Sequence, residues 1–400
     1  GFAGRHSQQK GSSSMQIAEG VSYIGVNDHQ IDYFESQFVV PNGMAYNSYV
    51  VASDKIAVMD SVEASFGDEW LAKLDATLAG RMPDYLVVHH MEPDHSANVA
   101  VFMDRYPAAT VVASIGAFNM MRSYFGTAYE DRRMVVKEGD VLDLGGKHLS
   151  FIAAPLVHWP EVMFSYDEED RLLFSADAFG KFGALDVDEP WDDEARRYYF
   201  GIVGKFGANV QKVLGKVAQL DVQAICSLHG PVLSQDLGHY LDLYQTWSSY
   251  EAEAPGVTIA YTSVYGHVRK AVELLAQRLG ERGCPSVSVY DLARDDASQA
   301  LADAFRRSCL VLATTTYNGG IFPAMHDFAS LLADHAFQAR TVGLMEGGSW
   351  MPAAAKGLRA ALEPCRGLSL AESVVTVKGS LDDASLAQLD ALVDELMASL

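Results

Sequence analysis

Residues 90–95, with the sequence His-Met-Glu-Pro-Asp-His, constrain the fold of this chain more than any other stretch. They follow directly on the apolar run 85–88, which is typical of a buried strand. Because side chains two positions apart on a strand share a face, His90 and Glu92 are expected to point the same way. The aspartate and the histidine that end the stretch follow on a turn, where they can reach a second metal. The sequence therefore predicts a strand end that presents several metal ligands to one small volume.

Three further candidate ligands, His158, Asp177 and His229, each follow an apolar run. Burying such side chains without partners is costly, and coordination to a metal removes that cost. Together with residues 90–95 they give four imidazoles and three carboxylates, enough for two metals bridged by one carboxylate. A mixed shell of this kind without thiolates favours iron or manganese over copper or tightly held zinc.

The composition excludes several classes of function. A net charge of -22 argues against binding to nucleic acid or to an anionic membrane surface. The four cysteines are widely spaced and form no Cys-x-x-Cys pair, so they are expected to be free thiols in a reducing cytoplasm. No apolar run reaches about 18 residues, so no membrane-spanning helix is expected. The polar residues 1–14, which precede Met15, are expected to be an expression remnant.

The length of 400 residues is typical of two domains. Residues 15–250 contain many short β-rich runs with helical patterns between them, and the small, acidic segment 251–256 is expected to be a linker. In residues 257–400 strand-like and helical patterns alternate, which predicts a doubly wound parallel sheet that binds ligands beyond the carboxyl ends of its strands. The predicted strands of this sheet are 257–261, 287–292, 309–313, 341–345 and 374–377.

Three loops at predicted strand ends of this second part favour a site for flavin mononucleotide (FMN). The first joins a strand to a helix and offers hydroxyls and backbone N–H groups that suit a phosphate. The other two each offer an aromatic side chain and exposed backbone, which an isoalloxazine ring needs. No Gly-x-Gly-x-x-Gly signature follows a strand here, so direct nicotinamide binding is not indicated. The candidate cofactor-binding residues are Thr262, Ser263, Val264, Tyr265, Gly266, His267, Val268, Thr315, Thr316, Tyr317, Asn318, Gly319, Gly348, Ser349 and Trp350.

In order and spacing, these motifs resemble the flavodiiron proteins across residues 15–400. The resemblance is to the A-type members, an α/β architecture that joins a metallo-β-lactamase-like αββα sandwich to a flavodoxin-like doubly wound parallel five-stranded sheet. It implies a non-heme diiron site with FMN as the second cofactor. The implied ligands are His90, Glu92 and His158 for one iron, Asp94, His95 and His229 for the other, and Asp177 as the bridge between them.

The activity implied by the resemblance is reduction of dioxygen to water, of nitric oxide to nitrous oxide, or of both. FMN would relay electrons from an external donor, such as a rubredoxin-type or other small electron carrier. A head-to-tail homodimer, or a dimer of dimers, is expected by the same resemblance. Asp177 and Tyr199 are the candidate catalytic residues, the tyrosine as a hydroxyl of the substrate pocket.

The chain departs from the family pattern at two places. Its first flavin loop ends in Gly266-His267-Val268, where the family commonly has Gly-Asn-Thr, so a hydroxyl and an amide that could bind phosphate are lost. Many relatives have a third loop rich in tyrosine and glycine, whereas this chain has Trp350 there.

Two alternative functions are compatible with the same motifs. One is a zinc-dependent hydrolase of the metallo-β-lactamase superfamily with an appended flavodoxin-like module that binds a partner. Zinc hydrolases on this scaffold usually carry His-x-His-x-Asp-His, and Glu92 in place of the second histidine argues against that function. The other is a pure electron carrier with a degenerate metal site, which the complete ligand set argues against. Asp60 and His89 are expected to be ordinary structural residues.

Overall fold

The computed structural model describes residues 15–400, so the predicted expression remnant 1–14 lies outside the described residues. The chain forms two compact units. The first unit runs up to Pro190 and includes Lys212–Leu237, and the second consists of Trp191–Gln211 and Gly238–Leu400. The domain boundaries predicted from the sequence, with a linker at 251–256, stay a prediction.

The first unit contains two large β-sheets with helices. One sheet has seven strands in the order β1-β2-β7-β8-β9-β10-β11, and the other has five in the order β12-β13-β14-β15-β16. Two short two-stranded sheets, β3-β6 and β4-β5, complete it. The strands are β1 (Met15–Ala18), β2 (Val21–Tyr23), β3 (Val26–Asp28), β4 (Tyr33–Phe34), β5 (Phe38–Val39), β6 (Met44–Tyr46), β7 (Tyr49–Ala52), β8 (Ile56–Met59), β9 (Tyr85–Val87), β10 (Thr110–Ala113), β11 (Arg133–Val135), β12 (Val141–Asp143), β13 (His148–Ala153), β14 (Met163–Asp167), β15 (Leu172–Phe174) and β16 (Ala224–Cys226). The helices are α1 (Gly67–Leu78), α2 (Pro93–Ser96), α3 (Val99–Arg105) and α4 (Ile115–Phe125).

A single hydrophobic core joins the two large sheets of this unit. Tyr49 and Val87 from the seven-stranded sheet and Phe151 and Phe174 from the five-stranded sheet belong to one buried cluster. Each large apolar side chain that is fully buried contributes roughly 1.5–3 kcal/mol relative to an exposed one. The predicted sandwich of two sheets is therefore confirmed.

The strand pairing brings the candidate ligands to one edge of this sandwich. β15 and β16 pair in parallel, with Leu172 opposite Ala224, so both chains leave the sheet on the same side. Asp177 and His229 follow these two strands by the same number of residues. His158 lies in the connection between the antiparallel strands β13 and β14. Strand pairing between distant segments thus places these side chains at the same edge of the sandwich, which a local sequence pattern cannot show.

The second unit is built on a parallel sheet in the order β18-β17-β19-β21-β22, and the short strand β20 pairs antiparallel with β19. This confirms the predicted doubly wound sheet of five parallel strands. Its strands are β17 (Ala254–Tyr261), β18 (Val287–Asp291), β19 (Arg307–Tyr317), β20 (Gly320–Ile321), β21 (Thr341–Gly347) and β22 (Ser369–Val377). The remaining helices of the chain are α5 (Trp191–Tyr198), α6 (Gly207–Val217), α7 (Leu237–Ser248), α8 (His267–Glu281), α9 (Ala297–Arg306), α10 (Pro323–Asp334), α11 (Ala354–Ala361) and α12 (Asp383–Ala398).

The helices of the second unit follow their sequence patterns. In α8 the apolar positions Val268, Val272, Leu275 and Leu279 are all buried, as their helical spacing predicts. Helix α12 begins with a capping box at Asp382, which satisfies backbone N–H groups at its start. None of the helices in residues 15–400 is both long enough and apolar enough to cross a membrane.

Strand β17 starts earlier than the sequence suggests. It begins at Ala254, inside the predicted linker, and pairs there with Arg307 of β19. The register shifts between Ala254 and Val257, where Pro255 cannot donate a hydrogen bond to the neighbouring strand. The Pro-Gly pair therefore marks an irregularity within strand β17 and not the point where its pairing with β19 begins.

We predict that Leu275→Ala destabilises the second unit by about 2–5 kcal/mol, because it opens a cavity at a fully buried position of α8. Urea unfolding followed by far-ultraviolet circular dichroism measures the change. Gln277→Ala, on the exposed face of the same helix, is the matched control and should change stability by less than about 0.5 kcal/mol. Equal losses in the two variants would contradict the assigned core.

Candidate metal centre and flavin cavity

A short strand and a short helix position the ligand-rich stretch. Strand β9 ends at Val87, and α2 begins at Pro93, with Glu92 as its N-cap residue. The strand is shorter than the sequence suggests, so His90 and Glu92 lie in the connection between β9 and α2 and not on the strand. Asp94 and His95, which were expected on a turn outside any helix, lie in the first turn of α2. Proline at the first helical position favours this abrupt change of direction.

The first group of converging side chains consists of His90, Glu92 and His158. His90 Nε2 lies 3.1 Å from Glu92 Oε2 and 3.3 Å from His158 Nε2. His158 Nε2 lies 3.0 Å from Glu92 Oε2. The three ligand atoms therefore face one point.

The second group consists of Asp94, His95 and His229. The Nε2 atoms of the two imidazoles are 3.0 Å apart. Asp94 Oδ2 lies 3.2 Å from both of these nitrogens. In this group, as in the first, each residue offers a ligand atom within 4.8 Å of the others.

Asp177 faces both groups at once. Its Oδ2 atom lies 3.0 Å from His158 Nε2 and 3.3 Å from His90 Nε2. Its Oδ1 atom lies 3.1 Å from His95 Nε2 and 3.7 Å from His229 Nε2. One carboxylate with an oxygen on each side is the geometry of a bridge between two metals.

The residues present fit two metal ions. Two imidazole nitrogens 3.0 Å apart cannot both carry protons that point at each other. Both carboxylate oxygens of Asp94 and Oδ1 of Asp177 are buried without a hydrogen-bond partner among the described residues. Buried oxygens of this kind are compensated by metal coordination. The donor set holds nitrogen and oxygen without sulfur, as iron and manganese prefer.

The charges of the cluster stabilise one another. Burial of Asp177 favours its neutral form, but the positive charges of His90 and His95 hold its pKa well below the usual value. Burial acts to lower the pKa of His158, yet its hydrogen bonds to Asp177 and Glu92 raise that pKa to about 9.

The pKa of His229 is shifted in the same direction. Burial opposes protonation, but the nearby carboxylate of Asp94, 3.2 Å away, and the charge of Asp177 raise the pKa of His229 to about 9. Without metal, the cluster thus holds protons where cations would otherwise lie.

Sequence reasoning missed three residues around the cluster. Glu161 is fully buried and lies 2.6 Å from His90 Nδ1. Trp159 packs edge-on against the ring of His90, with centroids 5.1 Å apart. Glu161 comes three residues after His158, but nothing in that local pattern marks it as a partner of His90, because the contact depends on the connection between β13 and β14.

The third missed residue is Glu35, in the turn between β4 and β5. Loss of hydration, the hydrogen bond to Glu92 and the negative charges of Glu92 and Asp94 together raise the pKa of Glu35 to about 8. Its carboxyl group therefore holds a proton more strongly than an ordinary glutamate does. The sequence signal for this position, a polar pair in a tight turn, is shared with many surface turns.

Asp60 and His89 form a buried pair next to the cluster. His89 Nδ1 lies 2.6 Å from Asp60 Oδ2, and Oδ1 of the same carboxylate accepts the backbone N–H of His89. The other nitrogen of His89 lies 2.7 Å from Ser165 Oγ. Both residues thus have local partners, in agreement with a structural role.

Tyr199 belongs to the second unit and lies in a π-helical turn, Tyr199–Val203. Its fully buried ring packs against Tyr244 and Trp247, with centroids 5.0 and 5.3 Å away. Its hydroxyl has no hydrogen-bond partner within residues 15–400. This is the packing of a core aromatic, and the role of a substrate-pocket hydroxyl stays a prediction.

The three predicted flavin loops meet around a cavity of about 310 Å³ at the carboxyl end of the parallel sheet. Such a volume is at the lower end of the range for ligand sites. Of the predicted residues, Thr262, Gly266 and Tyr317 do not line it. Those that do are Ser263, Val264, Tyr265, His267, Val268, Thr315, Thr316, Asn318, Gly319, Gly348, Ser349 and Trp350, and the cavity adds Gly347, Met351, Val377 and Gly379, which sequence reasoning missed.

The first loop has the backbone geometry of a phosphate cradle. Gly266 caps α8 with a φ of 95°, a left-handed conformation that favours glycine. Ser263 Oγ accepts the backbone N–H groups of Gly266 and Arg269, at 3.1 and 3.3 Å. The start of α8 provides further N–H groups and the positive end of the helix dipole. A Cβ at Gly347 would lie 2.6 Å from Val268 Cγ2, so only glycine lets the third loop approach this closely.

We predict that the metal affinity of the metal-free protein rises with pH and levels off near pH 9, where His158 and His229 lose their protons. Below that pH an incoming metal must displace these protons. Because the folded-state pKa values are raised, the stability that the protonated histidines give the metal-free protein is lost as the pH rises through about 9.

Anaerobic calorimetric titration with Fe²⁺ in buffers of different ionisation enthalpy measures the protons released. His229→Gln should release fewer protons than the unmodified protein, whereas His29→Gln, at an exposed histidine bound to Asp186, should leave the number unchanged. An affinity that does not vary between about pH 6 and pH 9 would refute the assigned proton competition.

Comparison with known proteins places this geometry in a family. The family described as "ODP family beta lactamase" matches residues 44–230, which include all seven converging side chains. The chain is 30% identical over 324 residues to a protein named nitric oxide reductase from Moorella thermoacetica, covering 78% of this chain and 80% of that one.

Solved structures share the fold over nearly the full length. Rubredoxin oxygen:oxidoreductase from Desulfovibrio gigas superimposes with a TM-score of 0.89 at 24% identity, covering 97% of this chain and 99% of that one. The flavodiiron protein from Giardia intestinalis gives a TM-score of 0.88 at 23% identity, covering 98% of each chain. The identity to the Moorella reductase, over four-fifths of its length, shows that this chain belongs to the flavodiiron protein family.

Proposed function

We propose that the protein reduces dioxygen to water, nitric oxide to nitrous oxide, or both, at a diiron site supplied with electrons by FMN. The observation that carries the proposal is Asp177, whose two oxygens face two separate groups of ligands. Two irons held there would supply the redox chemistry that the reduction of a small diatomic molecule needs. The relative named nitric oxide reductase supports the same chemistry.

The seven converging side chains are the proposed metal ligands. Two bound irons would supply the redox centre and the open positions for substrate. The chain itself fixes their spacing through Asp177 and orients the imidazoles through contacts on their far side, such as the 2.8 Å approach of His229 Nδ1 to the carbonyl oxygen of Ala45. The ligands proposed for one iron are His90, Glu92 and His158, and those for the other are Asp94, His95 and His229.

FMN is proposed to occupy the cavity of the second unit, within a flavin domain of residues 257–400 that follows a diiron domain of residues 15–250. The start of α8 would hold its phosphate, and Trp350 would lie beside its ring system. Thr262, Gly266 and Tyr317 would support the loops without lining the cavity. The flavin would be reduced by a separate small electron carrier, for which a rubredoxin-type protein is the first candidate.

The finer features of the proposal concern assembly and location. A head-to-tail dimer would bring the flavin of one subunit to the metal centre of another, as the family resemblance implies. A cytoplasmic location is supported by four cysteines that are all free. Tyr199 is kept as a candidate pocket residue on the basis of its buried hydroxyl.

A zinc hydrolase is not favoured. Glu92 occupies the position of the second histidine of the zinc enzymes. Hydrolysis transfers no electrons, so a hydrolase would not need the flavin proposed for the cavity of the second unit. Metal analysis separates the two functions, because two zinc ions with ester hydrolysis and no gas reduction would support the hydrolase.

We predict that Asp177→Asn abolishes anaerobic turnover of the reduced enzyme with dioxygen or nitric oxide, because the amide cannot bridge two cations with two anionic oxygens. Flavin content should remain that of the unmodified protein, since the flavin cavity belongs to the other unit. Gas consumption measured with a gas electrode and flavin absorbance give the two readouts.

Asp167→Asn is the matched control for this substitution. Asp167 is another buried carboxylate of the first unit, at the end of β14, and it is outside both ligand groups. Its variant should keep most of the activity. Undiminished turnover in Asp177→Asn would remove the bridge from the mechanism.

We predict that Trp350→Ala weakens FMN binding by about threefold to tenfold, the range expected for loss of one aromatic contact. Trp350 lines the cavity but is 75% exposed, so its removal should leave the fold intact. Quenching of flavin fluorescence on titration into the flavin-free protein measures the affinity. Tyr124→Ala, at a 49% exposed tyrosine of the first unit, is the control and should bind FMN normally. Equal affinity in all three proteins would exclude stacking by Trp350.

A further inference from the structure

The imidazoles of the metal cluster differ in what their outer ring nitrogen contacts. His90 Nδ1 lies 2.6 Å from the carboxylate of Glu161, and both side chains are fully buried. His229 Nδ1 lies 2.8 Å from a neutral carbonyl oxygen, that of Ala45. His95 Nδ1 has no hydrogen-bond partner in the part of the chain that the structure describes. Of these three histidines, the one in the first ligand group is therefore backed by a full negative charge.

Glu161 is held firmly in this position. The oxygen that faces His90 also accepts the backbone N–H of Met91 at 2.9 Å. Ser114 Oγ donates to the carbonyl oxygen of Glu161 at 2.8 Å. A Cβ at Gly116 would lie 3.2 Å from Cβ of Glu161, so the start of α4 packs directly against it. Because a carboxylate only accepts hydrogen bonds, Glu161 keeps a proton on Nδ1 of His90, which leaves Nε2 as the nitrogen that would bind a metal.

The inner ligands do not by themselves distinguish the two metal positions by charge. Each group contains one carboxylate of its own, Glu92 in the first and Asp94 in the second, and both share Asp177. The buried Glu161 is the additional charge, and it lies on the side of the first group. A buried charge acts strongly on its neighbours because little water screens it.

We infer that Glu161 is a positioning residue that makes the two metal positions unequal. Through His90 it raises the affinity of the first position, formed with Glu92 and His158, and stabilises the ferric over the ferrous state there. One electron added to a diferric centre by a chemical reductant then reduces the iron of the second position, which leaves one ferric and one ferrous ion. The inference rests on the proposed diiron function.

Two substitutions at this position separate charge from hydrogen bonding. Glu161→Gln keeps the shape and an oxygen that can accept from His90 and Met91, but it removes the charge. Glu161→Ala removes both. The matched control is Asp60→Asn, because Asp60 forms an equally short, buried pair with the neighbouring His89, whose other nitrogen contacts Ser165.

The first measurement locates the iron that remains after dialysis against a chelator, by anomalous scattering from crystals. The unmodified protein and Asp60→Asn should lose iron first from the second position. Glu161→Ala should lose about 10- to 100-fold in affinity at the first position, so that iron is lost there first. Loss of iron from both positions equally, or from the second position first in Glu161→Ala, would overturn the inference.

The second measurement follows the half-reduced centre by electron paramagnetic resonance during stepwise anaerobic titration with dithionite. Glu161→Gln should keep both irons, but its two one-electron steps should move closer together and its maximum half-reduced signal should fall. Asp60→Asn should retain the signal of the unmodified protein. An unchanged signal in Glu161→Gln, with two irons in the unmodified protein, would refute this inference alone. Absence of iron from the reconstituted unmodified protein would refute the proposed function instead.

Discussion

The convergence of seven donor groups, four of them buried and three half-buried, on two neighbouring points is the constraint on which the first unit depends. Three of these groups are carboxylates, and burying ionised groups without compensation costs several kcal/mol each. The compensation comes from the imidazoles across the cluster, which in the metal-free chain hold protons and lower the pKa of Asp177. A bound cation would replace those protons. The fold therefore keeps a concentrated negative charge in its interior for a cationic ligand.

The strand pairing within this unit is what brings the donor groups together. The parallel pair β15 and β16 sends two chain segments out on the same side, and the β13–β14 connection brings His158 within 3.0 Å of Asp177. The second unit uses the same principle with a different result, because the ends of its parallel strands and the start of α8 form a cavity lined with backbone groups. Side-chain charge dominates the first site and backbone geometry dominates the second.

The sequence predicted the fold class and singled out the seven side chains that converge in the first unit, because strong local signals coincide there. Apolar runs end in charged groups, and the helical spacing of α8 and α12 is regular. It did not predict Glu161 or Glu35, since each acts on the cluster through a contact between segments far apart in the chain. The start of β17 at Ala254 was also missed, because Pro-Gly is an ordinary loop signal unless the neighbouring strand β19 is known.

The adjacent histidines 89 and 90 each place Nδ1 2.6 Å from a buried carboxylate, yet their opposite nitrogens face a serine hydroxyl and the ligand cluster respectively. The same carboxylates accept the backbone N–H groups of His89 and Met91. The chain that leaves β9 is thus held at the backbone N–H groups of His89 and Met91, on either side of His90. Only the acid behind His90 reaches the cluster, so a substitution at Glu161 would act on a bound metal while every coordinating atom stays in place.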